Sequence, residues 1–279
     1  MATQTIPQPA ASTEEQGTPV VVFHDVTITF ESGRPVLDHL SFTVEPGQQL
    51  IILGPAGTGK SVLLKLVDGL LQPDSGTIHV FGQDITTMRE RDRYQLRARI
   101  GMVFQESALF DSLNVEDNVA YRLNEDRVPH DESHHRVEEV LNFVALPTAI
   151  AKFPSELSGG MRRRVAIARA IVTKPDLILY DSPTGGLDPI TSTTIVELVV
   201  KQRDVTHTTA LLITHRLQDA FTLATHRWNV EANKMEPIPN GGIDPSTRFL
   251  VLNEGKIVFE GSTQELVHSQ DPWLKQYLS

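Results

Sequence analysis

Leu50-Ile51-Ile52-Leu53-Gly54-Pro55-Ala56-Gly57-Thr58-Gly59-Lys60-Ser61-Val62-Leu63-Leu64 decides the fold of this chain. Four apolar residues run into a glycine-rich turn, and an apolar helical pattern follows. Glycines let the backbone curl so that its N–H groups face one point, and the start of the next helix adds a favourable dipole. Such a strand–turn–helix is a phosphate-binding loop. Gly54, Pro55, Ala56, Gly57, Thr58 and Gly59 form the cradle. Lys60 reaches the β- and γ-phosphates, and the Ser61 hydroxyl ligates Mg²⁺.

Working outward, further apolar strands are expected at 100–103, 177–180 and 209–213, separated by helical patterns. That alternation predicts an α/β fold with a mainly parallel core sheet. Val20 to Phe30 and Val36 to Val44 read as strands joined by Glu-Ser-Gly-Arg-Pro. With a further strand pair around Gly76 to Phe81 they predict a small antiparallel β subdomain. From about 106 to 171 the chain reads as mostly helical. There Val137, Val140, Leu141 and Val144 define one face of a helix starting near Ser133. Residues 1–19 read as a disordered tail. The Pro/Gly/Asn-dense stretch 226–247 reads as an exposed loop or surface hairpin added to the domain 20–279.

The chain has 279 residues, 40% of them hydrophobic, enough for a sizeable core. Zero cysteines exclude disulfides and thiolate metal sites. A net charge of −10 argues against broad binding to nucleic acid or anionic lipid. The arginine-rich stretch Arg89 to Arg99 is interspersed with acids and reads as a solvated helix face. His130, His134 and His135 lie near Asp131 and Glu132, and a solvated helix start is preferred there over a metal cluster. No apolar run approaches the roughly 18 residues that a membrane span needs.

A second motif follows the first: Leu157-Ser158-Gly159-Gly160, ahead of a basic-then-apolar helix and the strand Leu177-Ile-Leu-Tyr-Asp181. Together the two motifs resemble the ATPases of ABC transporters over roughly residues 20–279. The resemblance implies a P-loop NTPase fold of ABC type, with an inserted helical subdomain, binding ATP and Mg²⁺. It implies that Asp181 and Gln105 join Ser61 at the metal, and that His215 contacts the γ-phosphate. Phe30 would stack on adenine, with a place in the core as the alternative. Gly186-Leu187-Asp188 would be the loop that communicates across a dimer. Ser158, Gly159 and Gly160 would serve the partner's ATP, so a head-to-tail homodimer sandwiching two nucleotides is implied. A separate integral membrane permease would complete the transporter. The chain itself would be cytoplasmic, peripheral on the inner membrane of a bacterium.

One position departs from the family. Its strand-end pattern is Asp-Glu-Pro, whereas this chain has Asp181-Ser182-Pro183. A serine hydroxyl is not basic near neutral pH and adds no negative charge for polarising water. Two readings stand: slow hydrolysis relying on His215, Gln105 and substrate phosphate, or an ATP-dependent switch that binds ATP and dimerises but hydrolyses little. Met161, where most ABC ATPases have Gln, is a milder departure. The stretch Glu106 to Tyr121, Met161 and the ending Asp271 to Leu278 resemble the Mla type, which energises lipid transport with MCE-type substrate-binding proteins. Solute uptake is the alternative within transport. DNA-repair or translation members of the family need coiled-coil insertions, zinc modules or tandem cassettes that are not seen here.

Overall fold

The computed structural model describes residues 17–30 and 33–279. Residues 1–16 of the expected tail, and residues 31 and 32 of the expected hairpin turn, lie outside the described residues. In chain order the elements are β1 (Val21–Thr29), β2 (Pro35–Val44), β3 (Gln49–Leu53), α1 (Lys60–Val67), β4 (Ser75–Val80), β5 (Gln83–Asp84), α2 (Glu90–Arg97), β6 (Ile100–Val103), α3 (Val115–Glu125), α4 (His130–Phe143) and α5 (Gly159–Ile171). They continue with β7 (Leu177–Asp181), α6 (Pro189–Thr206), β8 (Thr209–Ile213), α7 (Leu217–Thr225), β9 (His226–Asn229), β10 (Lys234–Pro237), β11 (Thr247–Asn253), β12 (Lys256–Ser262), α8 (Thr263–Val267) and α9 (Pro272–Leu278).

The core sheet has the order β12-β11-β3-β8-β7-β6 and is parallel except for β12. β3 and β8 are buried along their whole length, which is why they read as continuous apolar runs. Side-chain alternation along β3 splits the core in two. Ile51 and Leu53 join the cluster formed with α3 to α7, whereas Leu50 and Ile52 join the cluster shared with α1 and the antiparallel sheet. That second sheet has the order β2-β1-β4-β5. Its register sets Phe23 opposite Phe42, with ring centroids 4.5 Å apart.

The helices α3, α4 and α5 lie between β6 and β7 in the chain. Asn114 caps α3 by accepting the Asp117 N–H at 2.8 Å. α4 begins at His130, three residues before the expected Ser133. Its first turn is polar and carries no apolar period, but Asp131 and Glu132 favour a helix N-terminus. The basic stretch also differs from a wholly solvated face. Arg93 is buried, Arg97 donates to the Asp68 and Gly69 carbonyls, and Arg99 pairs with Asp176 while lying over the Phe81 ring.

Residues 226–247 contain the β9–β10 hairpin, and Trp228 and Met235 are partly buried against the helical core. Buried Arg203 of α6 ties the segment down through the His226 carbonyl at 2.7 Å and Asp244 at 3.2 Å. Each of the hairpin's two four-residue strands turns one apolar side chain inward.

Candidate functional site

Parallel order β3-β8-β7 brings three strand ends together at the carboxyl edge of the sheet, where open α/β sheets bind ligands. β3 leads into the P-loop, β7 ends at Asp181, and β8 is followed by Thr214 and His215. Gly54 has φ 142°, and a Cβ there would sit 2.2 Å from the Leu252 carbonyl oxygen. Gly59 has φ 89°, and its Cβ would meet Leu37 Cδ2 at 2.6 Å. Close backbone approach therefore demands glycine at both ends of the loop.

Lys60 is buried, and its ammonium donates to the Gly54 carbonyl at 2.8 Å and the Pro55 carbonyl at 2.6 Å. Burial pulls its pKa down to about 8, against the opposing charge of Asp181. The Ser61 hydroxyl donates to Asp181 Oδ1 at 3.1 Å. At the start of α1, Gly59 offers no side-chain cap, so the first N–H groups of the helix remain for a ligand. A cation, an uncapped helix start and a hydroxyl–carboxylate pair are the donor set that a nucleotide phosphate with Mg²⁺ requires. Burial and the Lys60 charge hold the His215 imidazole below the ordinary histidine value, opposed by Asp181 and a hydrogen bond to the Gly54 backbone.

Gln105 is exposed and lies beside the turn after β7: its amide nitrogen is 3.5 Å from where a Cβ on Gly185 would stand. The chain around it is pinned from α5. Buried Arg163 donates to the Phe104 carbonyl at 3.0 Å, the Gly185 carbonyl at 3.3 Å and the Ser182 carbonyl at 3.5 Å. Arg169 holds the Ser107 and Ala108 carbonyls at 2.9 and 2.7 Å, both residues being left-handed. Asn118, fully buried, closes the segment by bonding both backbone groups of Phe110.

Ser182 is 3% exposed, sits at φ 47°, and its hydroxyl is buried with no hydrogen-bond partner. Thr184 two residues on donates to buried Asp219 at 2.6 Å. Asp188 caps α6 by accepting from the Thr191 N–H at 3.0 Å and its hydroxyl at 2.6 Å, bonds that lower its pKa. Ser158 caps α5 through the Met161 N–H at 3.2 Å. Gly160 is pressed on α6, since a Cβ there would lie 2.4 Å from Thr191 Cγ2. Among the described residues no hydrogen bond joins Ser158, Gly159 or Gly160 to the P-loop of the same chain. Phe30 stands 44% exposed at the end of β1 and is not part of the core.

Arg163, Arg169, Asn118 and the Thr184–Asp219 pair escaped the sequence reading. Arginines in a basic helix start and an asparagine in a polar helix give no local sign that they will be buried against carbonyls. His134 lies 2.5 Å from Glu116 and His130 stacks on it, so these histidines are occupied on the helical lobe.

A family profile described as ABC transporter matches residues 37–185. The chain is 37% identical over 260 residues to the intermembrane phospholipid transport system ATP-binding protein MlaF of Escherichia coli (strain K12), spanning 93% of this chain and 88% of that protein. It is 41% identical over 266 residues to the methionine import ATP-binding protein MetN 2 of Rhodococcus jostii (strain RHA1), spanning 94% of this chain and 72% of that protein. A solved dimeric structure of the ATP-binding cassette MJ0796, in a post-hydrolysis state with ADP and Pi, superposes with a TM-score of 0.73 at 26% identity. That match covers 87% of this chain and 98% of the other.

Proposed function

The chain belongs to the ABC transporter family and is an ATPase subunit of that kind, and we propose that it powers phospholipid transport through a separate membrane permease. The observation that carries the ATPase chemistry is the meeting of Lys60, Ser61 and Asp181 at the uncapped start of α1. The lipid substrate rests on the likeness to the phospholipid transport protein across 93% of the chain. Among the described residues no helix is long and apolar enough to cross a membrane, and in this reading the permease is a separate chain.

Within this reading the residues divide the work by charge and position. Lys60 exchanges its carbonyl partners for phosphate oxygens, gaining a charge-assisted contact. The N–H groups of the loop and of α1 hold the remaining phosphate oxygens. Ser61, Asp181 and Gln105 would hold Mg²⁺, which would neutralise charge on the phosphates. His215, whose pKa partial desolvation and the Lys60 charge hold below the ordinary histidine value, meets the γ-phosphate end through a hydrogen bond. Phe30 presents an exposed ring for adenine. A second copy brings Ser158, Gly159 and Gly160 to the far side of the nucleotide, closing a head-to-tail pair. Closure of that pair moves the permease, and an MCE-type protein takes the lipid onward.

A second reading, the ATP-dependent switch, is favoured by Ser182. Its hydroxyl is buried without a partner and offers no base for the attacking water. Steady-state turnover by the full chain separates the two, with Lys60→Ala as blank and Ser182→Glu in parallel. Turnover above the blank supports the motor. ATP binding without turnover, restored by Glu, supports the switch. Mass spectrometry of lipid held by the chain's co-expressed permease complex tests the substrate: enrichment of phospholipid is expected, and a lipid-free complex stimulated by a soluble solute-binding protein overturns it.

A further inference from the structure

The P-loop is held from an unexpected direction. The Tyr277 hydroxyl, on the last helix α9, accepts the Gly54 N–H at 2.9 Å, across 223 positions of chain. Pairing of β3 with β11 ends at Leu53, so this phenol oxygen stands where the strand's next acceptor would be. Gly54 is buried, and a buried N–H without an acceptor is costly. The phenol is itself fixed. Asp271 caps α9 by accepting the Leu274 N–H at 2.8 Å, Leu274 is 1% exposed, and Tyr277 stacks on Trp273 with ring planes 3° apart.

Gly54 is the residue that the loop's ammonium leans on. Its carbonyl takes the Lys60 ammonium at 2.8 Å. Its φ of 142° is a conformation open to glycine, so no side chain of its own helps to fix this peptide, and its backbone hydrogen bonds set the orientation. Resting on the ATP-binding role of the P-loop, we propose that Tyr277 is a positioning residue for nucleotide binding, its hydroxyl setting the Gly54 peptide that orients Lys60. The C-terminal helix is thereby part of the ATP site, although no atom of it needs to touch ATP.

The test is Tyr277→Phe in the full-length chain, which removes one oxygen and keeps the ring stacked on Trp273. A neutral hydrogen bond of this kind changes binding by about five-fold. The dissociation constant of a fluorescent ATP analogue and the KM for ATP should both rise by about that factor, with kcat within about two-fold, the signature of lost uniform binding. Exchange of the Gly54 amide proton, followed by glycine-selective ¹⁵N labelling, should quicken, and the melting midpoint should fall by about 2–8 °C, the cost of one buried unpaired N–H, with the chain still folded at the assay temperature. Trp273→Leu, which loosens the ring, should weaken nucleotide binding in the same direction. Unchanged nucleotide affinity in Tyr277→Phe overturns the proposal and leaves the tyrosine as a docking contact of α9. A wild-type chain that binds ATP no better than Lys60→Ala removes the P-loop reading itself, and this proposal with it.

Discussion

Ser61 and Asp181 stand 120 positions apart in the chain and meet through a 3.1 Å hydrogen bond between strand-end carboxylate and helix-start hydroxyl. The contact exists because β3 and β7 flank β8 in parallel, so their carboxyl ends share one edge. Asp181→Asn keeps the shape and removes the charge. Turnover dependent on Mg²⁺ should fall by at least about a hundred-fold, within the range of lost electrostatic stabilisation. ATP binding without Mg²⁺ should change less than about three-fold, since Lys60 and the helix start remain. Titration of Mg²⁺ against turnover and of ATP in chelator measures both.

Ser182 carries two costs, a left-handed backbone at φ 47° and a buried hydroxyl without a partner. A non-glycine residue there is strained by roughly 1–2 kcal/mol. Ser182→Gly should therefore raise unfolding stability by about 1 kcal/mol in denaturant titration, and Ser182→Ala should lower neither stability nor turnover by more than about two-fold in rate. A large loss of turnover in Ser182→Ala would give the hydroxyl a catalytic part that its burial denies.

Lys60 titrates at about 8 rather than near 10.5 because burial outweighs Asp181. Phosphate binding needs the protonated form. The ATP dissociation constant should be flat below pH 8 and then rise by up to about ten-fold per pH unit toward 10.5. The sign for folding is opposite. The unfolded chain holds the proton more tightly in that window, so this group's contribution to stability improves as pH rises through 8. Equilibrium binding between pH 7 and 10 checks the first statement.

Asp68 closes α1 as a buried carboxylate whose pKa is raised to about 6, burial outweighing Arg97. An acid at a helix C-terminus also opposes the dipole. Its folded pKa lies above the unfolded one, so it stabilises below about pH 4 and loses that contribution as pH rises through 6. Asp68→Asn should stabilise the chain by about 1–3 kcal/mol at pH 7.5 and by much less at pH 4, read from denaturant midpoints at the two pH values.

What the sequence alone determined is everything with a local cause. The P-loop, the parallel strands and the hairpin strands follow from glycine spacing and apolar runs, because backbone geometry and burial period are set by near neighbours. The Ser182 departure was equally visible, since it is a change of chemistry at one position. Tertiary structure decided which polar groups meet. Arg163 and Arg169 among basic neighbours, Asn118 in a polar helix and Tyr277 near the end of the chain look like surface residues in a linear reading. Folding buries Arg163 and Asn118, and partly buries Arg169 and Tyr277, beside backbone groups left unpaired at strand ends and turns. The anchoring of the hairpin at 226–237 was hidden for the same reason: its strands are held by Arg203, Asp204 and Glu197 of α6 rather than by an apolar pattern of their own. Buried backbone groups must find acceptors and donors somewhere, and only the packed chain decides where.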